Sequence, residues 1–487
     1  MMRPLDKAIQ CIEKTKSTVN PFYRPVLHYT SEAGWINDPN GFSRFKGEYH
    51  LFAQHNPYDS KWGPMHWSHA KSQDLIKWEH LPVALAPEKD YELDLGCFSG
   101  TAMEHNGQHV LMYTSCEGKI GEPVKQQQCV AIGDGVTYEK FDANPVLTEK
   151  DLPEFVTLAD FRDPKLFRKG DMFYVLIGAQ VTHLQVGTIL LYKSADLINW
   201  TYVGETLRAP ADGSMGIVFE CPDLFRVGTK DVIITSPINM PSQGHRYENI
   251  SSAVYFVGEM NYETGEFTVE YQDEIDGGFD FYAPQTTTSD TGETILIAWA
   301  QMWERNFVTD QLRHGWAGAM SLPRVVDLQN NRLIQKPIDA LSTYHGQQSS
   351  DITALSQQAY RLQVDIDLTT GTQFELELFK TISGAFKIKY DVERTELSID
   401  RHMSLFKLDR HPFEDGVNNR RTLPLAPKPK LSLDIVVDHS IIEIFVNGGE
   451  HSLTSTYYVG QLDVTSAITT DCSYDLTKYN LQLTEGS

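Results

Sequence analysis

Gly34-Trp35-Ile36-Asn37-Asp38-Pro39-Asn40-Gly41 sets one carboxylate, that of Asp38, against a Pro-Asn-Gly turn. Proline fixes φ and lacks an N–H, and Asn-Gly accepts positive φ. A carboxylate beside so stiff a turn loses little freedom when it is aimed at a partner. Alone, the stretch reads equally well as a plain tight turn. Its recurrence tips the balance. Arg162-Asp163-Pro164-Lys165-Leu166-Phe167 runs through Gly170 into Phe173-Tyr174-Val175-Leu176. Phe219-Glu220-Cys221-Pro222-Asp223-Leu224-Phe225 runs through Gly228 into Val232-Ile233-Ile234. Each copy reads acid, proline, apolar strand, glycine turn, apolar strand. Phe98-Ser99-Gly100 before Asn106-Gly107, and Phe281-Tyr282-Ala283-Pro284-Gln285 before Gly292, are weaker relatives. The copies recur at roughly sixty-residue intervals, a period that marks a propeller or array.

Between residues 25 and 337 short strand signals alternate with Gly, Asn and Asp, and no long helical pattern intervenes. Five units of four strands predict a five-bladed β-propeller. The copied motif starts each unit, so Asp38, Ser99, Asp163, Glu220 and Tyr282 are expected at one mouth of the central channel. A second repeat supports the same period: Ser72-Gln73-Asp74-Leu75-Ile76-Lys77-Trp78 matches Ser194-Ala195-Asp196-Leu197-Ile198-Asn199-Trp200. It reads as the same outer-strand turn, with a structural aspartate and a packed tryptophan. Residues 1–24 hold a short amphipathic helix, with Leu5, Ala8, Ile9 and Ile12 at helical spacing, expected to dock on the body. Residues 338–360 are polar and Ser/Gln-rich, a connection. From 361 to 487 cleaner alternation returns, as in Leu362-Val364-Ile366, and Asn447-Gly448-Gly449 marks a hairpin, so the prediction there is a β-sandwich.

A formal charge of −23 with no basic cluster argues against nucleic acid as a partner. Six scattered cysteines make no metal spacing and read as reduced thiols of a cytoplasmic protein. No apolar run is long enough to span a bilayer or act as a leader.

Three carboxylates aimed at one channel repel, so either a cation sits among them or they divide acid and base roles. Calcium is one reading, although the three acid motifs hold no histidine. Glycoside hydrolysis by two carboxylates is the other. Asp38, beside Asn37 and turn donors, suits the ionised partner. Glu220 follows the apolar run Gly216-Ile217-Val218-Phe219, which suits a carboxyl kept protonated. Asp163 suits sugar hydroxyls, with Arg162 offsetting the negative charge. Cys221 reads as a small packed residue rather than a nucleophile.

Trp35 to Gly41, Arg162-Asp163-Pro164 and Glu220-Cys221-Pro222 resemble the three signatures of glycoside hydrolase family 32, the invertases and β-fructofuranosidases. Gln54-His55-Asn56-Pro57, Trp62-Gly63-Pro64-Met65-His66-Trp67, Phe98-Ser99-Gly100 and Asp280 to Gln285 are similar to that family as well. The resemblance spans the propeller in the expected order and is looser in the C-terminal half. It implies a retaining hydrolase of β-fructofuranosides that needs no cofactor and no metal. Asp38 would be the nucleophile, Glu220 the acid and then the base, and Asp163 the group that binds fructose hydroxyls. Asn37, Gln54, Trp62, Phe98, Ser99, Arg162 and Trp299 match positions that shape the fructose pocket. The expected substrates are sucrose and short fructo-oligosaccharides. Sucrose 6-phosphate, fructosyl transfer and a non-catalytic carbohydrate-binding propeller are the alternatives. A phosphate would need a cation, and Arg246, Arg305, Arg313 and His314 are those in loops that could reach one.

Overall fold

In the computed structural model the five motif copies are five strands: β1 (Gly34–Phe45), β2 (Asp94–His105), β3 (Phe161–Lys169), β4 (Phe219–Val227) and β5 (Tyr282–Thr288). The structure describes residues 2–119, 121–353, 359–408, 419–460 and 464–483. Each of the five strands opens an antiparallel four-stranded sheet, and a two-residue strand, Trp316–Ala317, adds to β1 in parallel. Each packs against the next, and β5 against β1, which closes the ring of a propeller. Burial falls off outward. In the sheet of β4, Val232-Ile233-Ile234 are fully buried, whereas the outermost strand, Phe267–Glu274, is largely exposed. Each such aliphatic side chain contributes about 1.5–3 kcal/mol by leaving water.

The copied motif is physically a β-bulge. Pairing with the neighbouring strand breaks register between Ile36 and Pro39, Cys97 and Gly100, Glu220 and Asp223, Tyr282 and Gln285, and opposite Leu176 to Gly178 in the sheet of β3. Asp163, Cys221 and Ala283 are left-handed there, with φ of 63°, 47° and 51°. A bulge bends the strand and re-aims a side chain. Proline fits beside it because the ladder has already lost a hydrogen bond. Side chains accept from the freed amides. Asp163 N–H donates to Thr114 Oγ1 (2.9 Å), Cys221 N–H to Asp163 Oδ2 (3.0 Å) and Ala283 N–H to Ser236 Oγ (3.2 Å). Close approach of neighbouring sheets needs Gly178, where a Cβ would meet the Phe219 carbonyl oxygen at 2.0 Å.

The second repeat is one turn used twice. Leu75 and Leu197 both have φ of 67°. In each copy the aspartate, Asp74 or Asp196, accepts from the backbone amides two and three residues on, those of Ile76 and Lys77 or Ile198 and Asn199. The N-terminal helix α1 (Pro4–Thr15) begins with proline at its first turn and lies on the outer strand Glu79–Leu85. Among the described residues no helix is long and apolar enough to cross a membrane.

The C-terminal part is a β-sandwich of a six-stranded and a five-stranded sheet. Strand Tyr360–Asp367 alternates buried residues with partly or fully exposed ones, and Asn447, Gly448 and Gly449 all have positive φ at the expected hairpin. Within 338–360, strand His345–Ser349 pairs with the sandwich strand Ser473–Leu481, and residues 354–358 lie outside the described residues.

Sandwich and propeller share buried charge. Arg324 donates to Asp276 Oδ2 (3.0 Å) and to Glu443 Oε2 (2.7 Å). His28 reaches Asp438 Oδ2 (2.9 Å) and Glu443 Oε1 (3.1 Å). Burial alone would lower the His28 pKa, but hydrogen bonds to the two carboxylates outweigh it and raise the pKa to about 9. Burial raises both carboxylates, but the hydrogen bonds of His28 and His439 hold Asp438, and the charge of Arg324 and then His28 hold Glu443, below the ordinary carboxylate range.

Candidate active site

The bulges of β1 to β4 deliver Asp38, Ser99, Asp163 and Glu220 to one cavity of about 370 Å³, a volume usual for a small-molecule site. Convergence of the acids is tight. One sulfur, Cys221 Sγ, lies 3.9 Å from Asp38 Oδ2 and 3.6 Å from Asp163 Oδ2. Burial, and then the charges of Asp163 and Asp38, push that thiol well above its usual range. It stays protonated and packed, in keeping with the sequence reading.

Asp38 is positioned from behind. Ser99 Oγ donates to its Oδ2 (3.0 Å), and Gln54 Nε2 donates to Ser99 Oγ (3.0 Å). Trp35 Nε1 fixes Asn37 through its Oδ1 (2.7 Å). Oδ1 of Asp38 is buried with no hydrogen-bond partner among the described residues, while the residue as a whole keeps some exposed surface and lines the cavity. Burial, and then the charge of Glu220, raise Asp38 to about 6, against the hydrogen bonds of Asn37 and Ser99. At neutral pH it is still mostly ionised. Burial also raises Asp163; Arg162 counters this, and Glu220 and Asp38 add to it.

Glu220 does not sit in the apolar setting expected from the residues before it. Its Oε1 accepts from Arg162 Nε (3.1 Å) and its Oε2 from Tyr282 O–H (2.5 Å). The apolar run lies along the chain, but the bulge turns the carboxyl toward polar neighbours. Arg162 also donates to Asp160 Oδ1 (2.7 Å) and Gln126 Oε1 (3.1 Å), and its Nε is 3.9 Å from Asp163 Oδ2. One guanidinium supplies the countercharge that three converging acids need.

Of the expected binding residues, Asn37, Gln54, Trp62, Phe98, Ser99 and Arg162 line the cavity, with Trp62 and Phe98 edge to face at 6.2 Å. Trp299 does not line it. It is fully buried behind Trp303, ring centroids 4.9 Å apart, and Trp303 forms the wall. Tyr282 reaches the site through Glu220. Missed by sequence reasoning are the walls made by loops: Ile238, Asn239, Ile250, Ser251, Trp303 and Glu304. Asn239 and Glu304 carry φ of 53° and 59°, a signal visible only in coordinates. None of Arg246, Arg305, Arg313 and His314 lines the cavity, and among its described lining residues Arg162 is the sole cation.

Comparison with known proteins follows the same division of the chain. Residues 28–337 match the family model "Glycosyl hydrolases family 32 N-terminal domain", and residues 326–475 match "Glycosyl hydrolases family 32 C terminal". The chain belongs to glycoside hydrolase family 32. Within that family it is 34% identical over 463 residues to a sucrose-6-phosphate hydrolase of Zymomonas mobilis, covering 91% of this chain and 88% of the relative. Among solved family 32 structures, a mutant Bombyx mori β-fructofuranosidase, BmSUC1, in complex with sucrose superposes with a TM-score of 0.84 at 33% identity, covering 98% of both chains. The sucrose-6-phosphate hydrolase of Lactobacillus gasseri superposes with a TM-score of 0.87 at 30% identity, covering 97% of this chain and 96% of that one.

Proposed function

We propose that the cavity takes the terminal fructose of sucrose and short fructo-oligosaccharides and hydrolyses it with retention, through a covalent fructosyl-enzyme. The chain is a β-fructofuranosidase. What carries the reading is that Asp38 and Asp163 meet within reach of one thiol, with Glu220 and Arg162 completing the ring of charge around a single cavity. Asp38, ionised, attacks the anomeric carbon of fructose. Glu220 gives a proton to the departing oxygen, and the glucose side leaves. Water then enters that face. Glu220, now the base, takes a proton from it, and the hydroxide replaces Asp38. Asp163 holds fructose hydroxyls that carry part of the transition-state charge. Arg162 and Tyr282 aim Glu220 throughout both steps. Trp62, Phe98 and Trp303 supply apolar walls against the sugar faces.

Sucrose 6-phosphate is the second reading, favoured by what the relatives in Zymomonas mobilis and Lactobacillus gasseri are named for. Against it stands a cavity whose described lining offers one cation, already engaged by Asp160 and Glu220. Measuring kcat/KM on sucrose, sucrose 6-phosphate, 1-kestose, inulin and levan tests both. Release of fructose from sucrose at a rate equal to or above that from the phosphate supports the first reading. A large preference for the phosphate establishes the second, and no release from any substrate refutes both. We place the enzyme in the cytoplasm on its thiols, none of them in a disulfide and five of the six buried.

A further inference from the structure

The loop from Ile238 to Ser251 leaves the strand Lys230–Pro237 and returns to begin Val254–Met260. Its two ends bridge each other at Ile238 and Ser251. Both ends wall the active-site cavity, through Ile238, Asn239, Ile250 and Ser251. Asn239 is exposed there, whereas Asn37, Ser99 and Asp163 are buried, so this loop forms the rim and the acids form the floor. On the proposed reading a terminal fructose would fill the floor, and the group it is attached to would reach the rim.

Tyr247 is buried and its N–H donates to Glu274 Oε2 (2.8 Å), and a second anchor of that loop reaches the sandwich. Asn249 is buried, and its Nδ2 donates to the Gly278 carbonyl oxygen (3.1 Å). Its Oδ1 accepts twice, from Arg305 Nη2 (3.2 Å) and from Arg421 Nη2 (2.9 Å). Arg305 follows Glu304, the other strained residue of the rim. Arg421 belongs to the sandwich, on strand Arg420–Pro424. It is 3% exposed, stacks over Phe279 at 4.5 Å and donates also to the Glu248 carbonyl oxygen (3.4 Å). Burial, and then the nearby Arg305, lower its pKa to about 10, so it is charged at neutral pH. One carboxamide oxygen thus ties the loop 238–251 and the turn at Trp303-Glu304 to a guanidinium of the accessory domain.

We infer that Arg421 is a positioning residue of the sandwich that, through Asn249, sets the leaving-group side of the cavity and so decides which aglycones are accepted. The inference rests on the proposed β-fructofuranosidase reading. One nitrogen, Arg421 Nη2, donates to both Asn249 Oδ1 and the Glu248 carbonyl, and the stacking of its guanidinium over Phe279 holds it there. The floor, built by β1 to β4, does not depend on it.

The test is Arg421→Met assayed on two substrates that share the fructose but differ at the rim: sucrose and methyl β-D-fructofuranoside. The expected result is an about tenfold loss of kcat/KM on sucrose, carried by KM, with the methyl fructoside within about twofold of wild type. Asn249→Ala is expected to give the same selectivity change, and the double variant no more than either single one. Equal losses on both substrates, or no loss on either, overturn the inference. If one variant fails to fold, the other alone decides by the same ratio. Wild-type enzyme that releases fructose from neither substrate instead refutes the proposed function.

Discussion

Replacing Ser99 by alanine removes the hydroxyl that donates to Asp38 Oδ2 and links it to Gln54. A hydrogen bond to a charged group is worth about 2 kcal/mol. At 1.36 kcal/mol per pKa unit, losing it raises Asp38 by ~1.5 units. Asp38 starts at about 6, so the variant titrates between ~7 and 8 by the same arithmetic. The sign is fixed by chemistry. The lost donor favoured the ionised form, so at any given pH more of Asp38 is protonated and unable to attack. The assay is kcat/KM for sucrose across pH 5 to 9, which reports the free enzyme. Wild type is expected to lose activity on the acid side near pH 6, and Ser99→Ala to lose it at correspondingly higher pH. A uniform drop with the acid limb unmoved would show that Ser99 does not govern Asp38 ionisation.

Asp38→Ala and Glu220→Ala should each lower kcat by several orders of magnitude, as loss of a nucleophile or an acid does; near-normal turnover by either purified variant contradicts the assigned roles. Iodoacetamide at neutral pH should leave activity intact, because the Cys221 thiol is buried and its pKa is pushed up; inactivation matched to labelling of Cys221 would argue otherwise. His28 is raised from 6.5 to about 9 in the folded protein, so its stabilisation is fully present below its unfolded pKa and is lost as pH rises through 9. Its worth is about 3 kcal/mol at most. Urea midpoints should therefore fall between pH 7 and 9.5, and His28→Gln should flatten that slope; parallel curves for the two proteins would remove His28 from the account.

The fold was legible because the acid-proline stretches recur at one interval, and a recurring bulge needs the same residues each time it is built. The site was legible to the extent that those bulges make it: Asp38, Ser99 and Asp163 sit at equivalent points. Glu220 is offset. Counted from the proline, its strand places Cys221 where the others place Asp38 and Asp163, which is why the sulfur ends between two carboxylates. Glu220 therefore stands level with Arg162, one residue earlier, and meets it. Its polar partners come from β3 and β5, far away in sequence, so the apolar residues beside it misled. Trp299 was misplaced for a related reason: the tryptophan at the wall, Trp303, lies on the loop after the strand, where no periodicity operates. The rim at Asn239 and Glu304 left no sequence mark, because left-handed backbone at non-glycine residues is held by surroundings rather than encoded locally.

Arg324 has no exposed surface, and its partners come from both halves of the molecule. Cutting the chain near residue 340 would take Glu443 from that guanidinium, leaving it Asp276, and would take both carboxylates from the imidazole of His28. An uncompensated buried charge costs several kcal/mol, a large share of what holds a domain folded. Neither half is then an independent module to be shuffled between proteins. Heating should produce one calorimetric transition, and a gene ending after the propeller should give an insoluble product.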